Sequence, residues 1–479
     1  LPFLSRLSNL PKSALVFAPL LLLSYTQGTQ ALSAQTSQVI HGSAPYLTFD
    51  GGITKSTNVD ELLFIILPDG TKLTPSTNTS SFLNPIRLSN IKNTLGDISM
   101  VVPPSKNSIN LNDLIIPSNW GDDDGDGQGV NGVTITGSIS VSFNDKDSNT
   151  VNRDDALSIC NAPYRISLES TNGTLTTQYG VPRSSTFSES SVDYYINPNA
   201  DVSICSVRPF LKEGSGQFAG PSNIWNPYKG FLVQSTNPSS YNLNFPSTGA
   251  DSLYFDLDIV GVDASQLTWS PVSHGGVTAT ATIVMASEGW IDIGRGKQVT
   301  RVKLTGPRAD NTQIQSSNPS SLTVPPLPQT FELEGRDSSG NVVVKYGFVL
   351  KQWFVNRGDQ DKRYSDQLAW CNSLGYRLAK VKDLTNAVCS GWMSESDCQG
   401  AVGATPSSSD NVYKRHIGAG FFTEWGGMHF YVYADAGFVG NNYWTSDASG
   451  SDQFSVYSSF GQVSSLSTSS SGYAVCTTP

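Results

Sequence analysis

Histidine is scarce in this 479-residue chain: His41, His274, His416 and His429 are its four. They lie far apart and none sits in a recognisable serine or cysteine nucleophile motif, so acyl-transfer chemistry lacks its base. No Cys-x-x-Cys occurs and no histidine stands at ligand spacing from a cysteine, which weakens zinc as the reason for the six cysteines. Basic residues are in deficit, 30 against 40 acidic, for a net charge of −10. A phosphate backbone needs a basic footprint, so nucleic acid is excluded as a natural partner, and the sign gives no attraction to anionic lipid. Long apolar runs are missing as well. Ala14 to Leu23 is short for a membrane span of about 20 residues, and no long internal repeat supports a tandem array.

What is present describes an exported β protein. Hydrophobic residues at 38% and charged residues at 15% suit a folded chain with a rather neutral surface. Abundant Ser, Thr, Asn and Gly favour short strands and many turns. The length is enough for about three domains. Arg6 and Lys12 followed by the apolar run, with small residues at Ala31 and Ala34, read as a signal peptide over residues 1–34. Six cysteines in an exported chain fit three disulfides. Their clustering selects Cys160–Cys205, Cys371–Cys476 and Cys389–Cys398. The second would close a loop of roughly 100 residues and contribute about 4–5 kcal/mol in the chain-entropy model.

In chain order, residues 35–104 form an N-terminal β segment with one clear strand, Leu62 to Leu67, closed by the turn Pro68-Asp69-Gly70. Residues 105–247 form a β-rich unit with strands near 133–143, 164–168, 174–179 and 230–233. Residues 248–345 alternate with period two: Leu253, Phe255, Leu257 and Ile259 face one way, and Val302 with Leu304 and Phe331 with Leu333 repeat the pattern. This predicts an immunoglobulin-like sandwich. Residues 346–479 differ. Ser365 is the expected N-cap of a helix with Leu368, Cys371 and Leu374 on one face and Gly375 as its stop. Val381, Leu384 and Val388 mark a second helix. Strands are expected over 418–425, 430–433, 442–446, 454–457 and 473–476, giving an α+β module.

The ordered motifs Leu368-Ala369-Trp370-Cys371, Gly375-Tyr376-Arg377-Leu378, Tyr443-Trp444-Thr445-Ser446 and Tyr473-Ala474-Val475-Cys476 resemble the C-type-lectin-like tip of intimin and invasin, adhesins on the outer surface of Gram-negative bacteria. Trp120 to Gly127 and Asn223-Ile224-Trp225-Asn226-Pro227 resemble the adhesion domain of invasin-E-type proteins. The resemblance covers about Pro103 to the C-terminus. It implies a mainly β architecture of sandwich domains followed by a lectin-like domain, on the cell outer surface or released from it. It also implies binding to a host or neighbouring-cell protein or glycan, without enzymatic activity or membrane insertion of the mature chain. Glu-Pro-Asn, Gln-Pro-Asp and Trp-Asn-Asp, which calcium-dependent sugar-binding lectins use, are not found, so calcium-mediated sugar binding is not carried over.

Asp122, Asp124 and Asp126 alternate as in the first half of an EF-hand-type calcium loop, with Val133 where the closing glutamate would stand. They read as a calcium site or as a solvated acidic turn. Arg357-Gly358-Asp359 is the tripeptide many integrin ligands display, and a solvated turn is the bland alternative. Trp425, His429 and Asp435, near glycines in an expected long loop, are the candidates for an exposed contact surface. An adhesin is the first reading of function. A secreted carbohydrate-binding or carbohydrate-acting protein and a mere spacer stalk are the others.

Overall fold

The computed structural model describes residues 42–89, 94–114, 116–125, 132–199, 201–286, 298–428 and 431–479. Residues 1–34, expected to be a signal peptide, lie outside them. Two compact units result. The first takes the described residues up to Thr79 with Ile98–Phe143 and Ile166–Tyr194; the second takes Ser80–Asp97, Asn144–Arg165 and Tyr195–Pro479.

The first unit is built of short strands. Ser138–Asn144 buries every second residue, with Ile139, Val141 and Phe143 inward, and pairs antiparallel with Ser108–Asn110. The run expected over 133–143 is broken in two, because Gly137 at φ 107° turns the chain between Thr134–Ile135 and Ser138–Asn144. Gly173–Thr176 pairs with Thr134–Ile135 on one side and Ser184–Phe187 on the other. In the expected 62–67 strand only Ile65–Ile66 is extended, between Lys72–Leu73 and Ser99–Met100; Asp60–Leu62 is a 3-10 turn. The Pro68-Asp69-Gly70 turn forms as expected, with Gly70 at φ 87°.

In the second unit, seven strands make one sheet in the order Trp225–Asn226, Gly230–Leu232, Ser203–Arg208, Tyr254–Val260, Gln298–Thr305, Val277–Met285, Val272–His274. Three strands, Thr268–Trp269, Gln329–Arg336 and Val342–Leu350, form the facing sheet. The period-two face expected from the sequence is the packed one: Leu253, Phe255, Leu257, Val302, Leu304, Phe331 and Leu333 are all at most 2% exposed. Phe331 and Phe348 stack at 5.1 Å, and Phe255 meets Phe348 edge-on at 6.1 Å. Asp256 lies on the opposite, expectedly polar, face and is nevertheless buried, because Arg301 pairs with both its oxygens at 2.8 and 3.0 Å. The sheet also crosses residue 247, since Ser203–Arg208 pairs directly with Tyr254–Val260. Turn signals mark where the chain reverses but not which strands meet, and so a boundary read from them misses this pairing.

The last 130 or so residues are organised by a four-stranded sheet in the order Thr248–Ala250, Gln352–Asn356, Val475–Thr478, Arg377–Leu378. Its first strand lies in the chain between two strands of the sandwich, Gly230–Leu232 and Tyr254–Val260. Helix Tyr364–Leu374 ends at Gly375, whose φ of 85° supplies the left-handed C-cap. Arg363 rather than Ser365 is the N-cap, and no side chain caps it. The second helix is a single turn, Val381–Leu384, and Val388 lies beyond it. Phe421–Trp425 is a helical turn where a strand was expected. All three cysteine pairs are bonded as expected, with Cys371–Cys476 tying the helix to the last strand across 105 residues.

Candidate functional site

Two of the expected contact residues, Arg357 and Trp425, are buried. Arg357 is 3% exposed: its guanidinium donates to the carbonyls of Ile314 and Ser316 at 3.1 and 2.7 Å and to Gln367 Oε1 at 3.1 Å, over the Trp370 ring. The tripeptide is therefore not displayed as a unit, although Asp359 is exposed. Trp425 is fully buried and donates its indole N–H to the Thr248 carbonyl at 3.0 Å. Asp435 is exposed and lies 3.6 Å from Lys303 Nζ. His429 lies outside the described residues.

Asp126 also lies outside them. Asp122 is buried and Asp124 exposed, and both accept from Ser43, while the neighbouring Asp123 pairs with Lys55. Among the described residues no group of three or more His, Cys, Asp or Glu side chains is placed to hold a metal ion. The two described carboxylates of the motif thus both accept from a serine of the chain itself.

Around Trp425 the terminal module is locked to the sandwich of the same unit. Glu424, fully buried, accepts from five donors: Ser247 N–H and O–H, Thr248 N–H and O–H, and the Gly418 N–H. Arg415, equally buried, donates to the carbonyls of Phe210, Thr423 and Glu424 and lies 4.3 Å over the Trp225 ring. Burial pushes its pKa down, and Tyr413, Tyr433 and Glu424 oppose that. Two buried charges fix a geometry more than they add net stability, since desolvation offsets much of the attraction.

What this frame presents is the loop closed by Cys389–Cys398. Its Trp392 is 47% exposed, unlike the five fully buried tryptophans Trp225, Trp353, Trp370, Trp425 and Trp444. The ring meets buried Phe218 edge-on at 5.9 Å, so one side is packed and the other is free. The backbone beneath it is held tightly. Trp392 N–H donates to Asp410 Oδ1 at 2.9 Å, and Trp392 O accepts from Asn411 N–H at 3.0 Å. Asn411, with no exposed surface, donates to the carbonyls of Met393 and Val463 and accepts from Val463 N–H. Gly391 is required: a Cβ there would stand 2.4 Å from Asp410 Oδ1, at a φ of +64°. Met393 takes the left-handed conformation at φ 61°, a strained choice for a non-glycine residue that clusters at functional sites. The Trp392 amide, helped by Ser409 and Lys414, holds the Asp410 carboxyl below its ordinary pKa. Beyond the loop, four residues after Cys398, Val402 is 72% exposed. A half-exposed indole on a braced backbone, in a loop that also exposes Glu395, offers contact rather than bond-making.

Trp392 was not among the residues singled out from the sequence. Its signal was there: a tryptophan after a glycine inside a nine-residue cysteine loop has too little chain around it to be fully covered.

No protein-family model matches the chain. A stretch of 233 residues, 48% of the chain, is 28% identical to the inverse autotransporter adhesin YeeJ of Escherichia coli strain K12. That stretch is 7% of the length of YeeJ, so the chain corresponds to a small part of that protein. Among solved structures, invasin, titled a bacterial integrin-binding protein, is 11% identical, with 73% of this chain and 52% of that one covered and a TM-score of 0.32. The C-terminal 282-residue fragment of intimin, in complex with the intimin-binding domain of its translocated receptor, is 11% identical, with 72% and 100% covered and a TM-score of 0.30.

Proposed function

We propose, taking kinship to an inverse autotransporter adhesin as the premise, that this chain is a bacterial cell-surface adhesin whose terminal module grips a protein on a host or neighbouring cell. Binding is non-covalent and uses the disulfide-closed loop 389–398 with Trp392 as its anchor. The observation that carries this reading is Trp392 itself, half-exposed on a backbone fixed by Asp410, Asn411 and a disulfide. A pre-ordered aromatic loses little freedom on binding, and such residues dominate interface energetics. Module 346–479 then acts as the contact domain, and the sandwich holds it in a fixed orientation through Glu424 and Arg415.

The test uses the full chain, fluorescently labelled, on cultured epithelial cells. Trp392→Ala is expected to weaken binding about thirtyfold, the equivalent of a hot-spot loss near 2 kcal/mol, with an unchanged melting temperature. Equal binding by Trp392→Ala, or no saturable binding by the wild type, would overturn the reading.

A further inference from the structure

The sandwich sheets end, with one exception, in strands too short to recruit another. The seven-stranded sheet ends in Trp225–Asn226 and Val272–His274, and the facing sheet ends on one side in Thr268–Trp269. Short edges are one way a protein avoids unwanted pairing. The exception is Val342–Leu350, nine residues long and laddered on one side only, to Gln329–Arg336. Beyond Tyr346 this strand is covered. The Tyr241 ring lies over Gly347, where a Cβ would stand 2.1 Å from it, and Asn244 Nδ2 donates to the Gly347 carbonyl at 2.8 Å. Residues 342–346 lack that cover, and among the described residues no strand pairs with their outer edge.

This open stretch lines a cleft of about 340 Å³. Val202, Ser203, Ile204 and Val233, from the seven-stranded sheet and its ends, line it too. A second edge is open there. Ser203–Arg208 meets Gly230–Leu232 only at Ser206 and Val207, and Val233 N–H reaches Cys205 O at 3.3 Å, so Ser203 and Ile204 have no strand on that side. An extended residue in a packed sheet takes up about 160 Å³, from a rise of about 3.3 Å, a strand spacing of about 4.8 Å and a sheet spacing of about 10 Å. The cleft thus seats about two residues of a strand.

Lys345 is the only charged residue among the described ones that line it. A lysine on an edge ordinarily discourages a further strand. Here its ammonium is drawn to Glu332 and Glu334 on the neighbouring strand, at 2.7 and 2.8 Å, and its charge is met. The cleft therefore offers strand edges, small apolar side chains such as Val344 and Ile204, and no unmatched charge. An extended polypeptide answers all three, because it brings its own row of donors and acceptors and alternates its side chains. A helix has already spent its backbone groups internally.

We infer that this cleft takes an extended, uncharged segment of a partner protein, which adds as a strand to residues 342–346. The site belongs to the sandwich and does not rest on the Trp392 loop.

The experiment is hydrogen exchange of the full chain, read by mass spectrometry, with the peptide acetyl-Ser-Val-Thr-Val-Thr-Ser-amide. The control is the same peptide N-methylated at every residue, which keeps the side chains and loses the donors. The first peptide is expected to slow exchange in residues 342–346, and the second to leave it unchanged. Thr236 lines the cleft and is exposed, so Thr236→Trp fills it from the rim. That substitution is expected to weaken peptide binding at least about tenfold at an unchanged melting temperature. Exchange in 342–346 unmoved by millimolar peptide, equal slowing by the methylated peptide, or binding indifferent to Thr236→Trp would each overturn the inference. Slowing that grows with the concentration of the chain alone would give the cleft to a second copy and overturn the assignment to a partner.

Discussion

At Glu424 a single carboxylate satisfies five donors from two separate stretches of chain. Truncating it leaves the buried Ser247 and Thr248 donors without an acceptor and removes one of the acidic groups near Arg415. Glu424→Ala is therefore expected to cost about 3–5 kcal/mol in denaturant unfolding, the range for breaking a buried charged network. Asp383 gives a pH-dependent counterpart. Burial raises its pKa, but Arg377, the Lys380 amide and Gln352 together outweigh it, so the net shift is downward. A carboxyl lowered in the folded state contributes its stability fully above the unfolded pKa of about 4 and loses it as pH falls through the lower folded value. Asp383→Asn is then expected to cost about 1–3 kcal/mol at neutral pH. Urea melts of the two proteins should converge as the pH falls through that lowered folded value. Neither residue could be picked from the sequence, where a glutamate between Thr423 and Trp425 looks like any other. Arg357 shows the same limit from the other side: as a motif it looked exposed, yet the carbonyls that bury it come from residues 314 and 316, some forty positions away.

At the scale of elements, legibility followed period and punctuation. Strands with strict alternation, such as Tyr254–Val260 and Gln329–Arg336, were read with the correct buried face because each pattern is local. Helix Tyr364–Leu374 was read with its stop, since only glycine takes the left-handed C-cap freely. Its start was misplaced because Arg363 enters the helix without a side-chain cap. Phe421–Trp425 was taken for a strand: five largely apolar residues carry no period, and what makes them helical is Gly420 and Gly426 turning the chain at φ 107° and 81°. The cysteine pairs followed from clustering. Replacing Cys371 and Cys476 by alanine is expected to lower stability by about 4–5 kcal/mol, the loop-closure value for a chain of this separation. Replacing Cys389 and Cys398 by serine is expected to cost less, about 2–3 kcal/mol. It should nonetheless reduce cell binding, because it frees the backbone that carries Trp392; comparing melting temperature with cell binding for the two variants separates scaffold from site.

At the scale of the whole molecule, the sequence motifs resemble those of surface adhesins, and about half of the chain is similar to a small part of one, YeeJ. The motifs gave no sign of Trp392, the contact residue proposed above, because the tryptophans they contain, Trp370 and Trp444, are ones the module buries, as it does Trp425. Exposure at Trp392 is set by the loop around it. The sandwich and the terminal module share one apolar core and the Glu424–Arg415 lock, so the contact loop is carried on a stiff support. The most direct measurement is equilibrium binding of the full chain to epithelial cells, wild type against Trp392→Ala, with unfolding of both followed in parallel. A loss of about thirtyfold in affinity at equal stability is the expected result; equal affinity would contradict the assignment of this loop as the gripping surface.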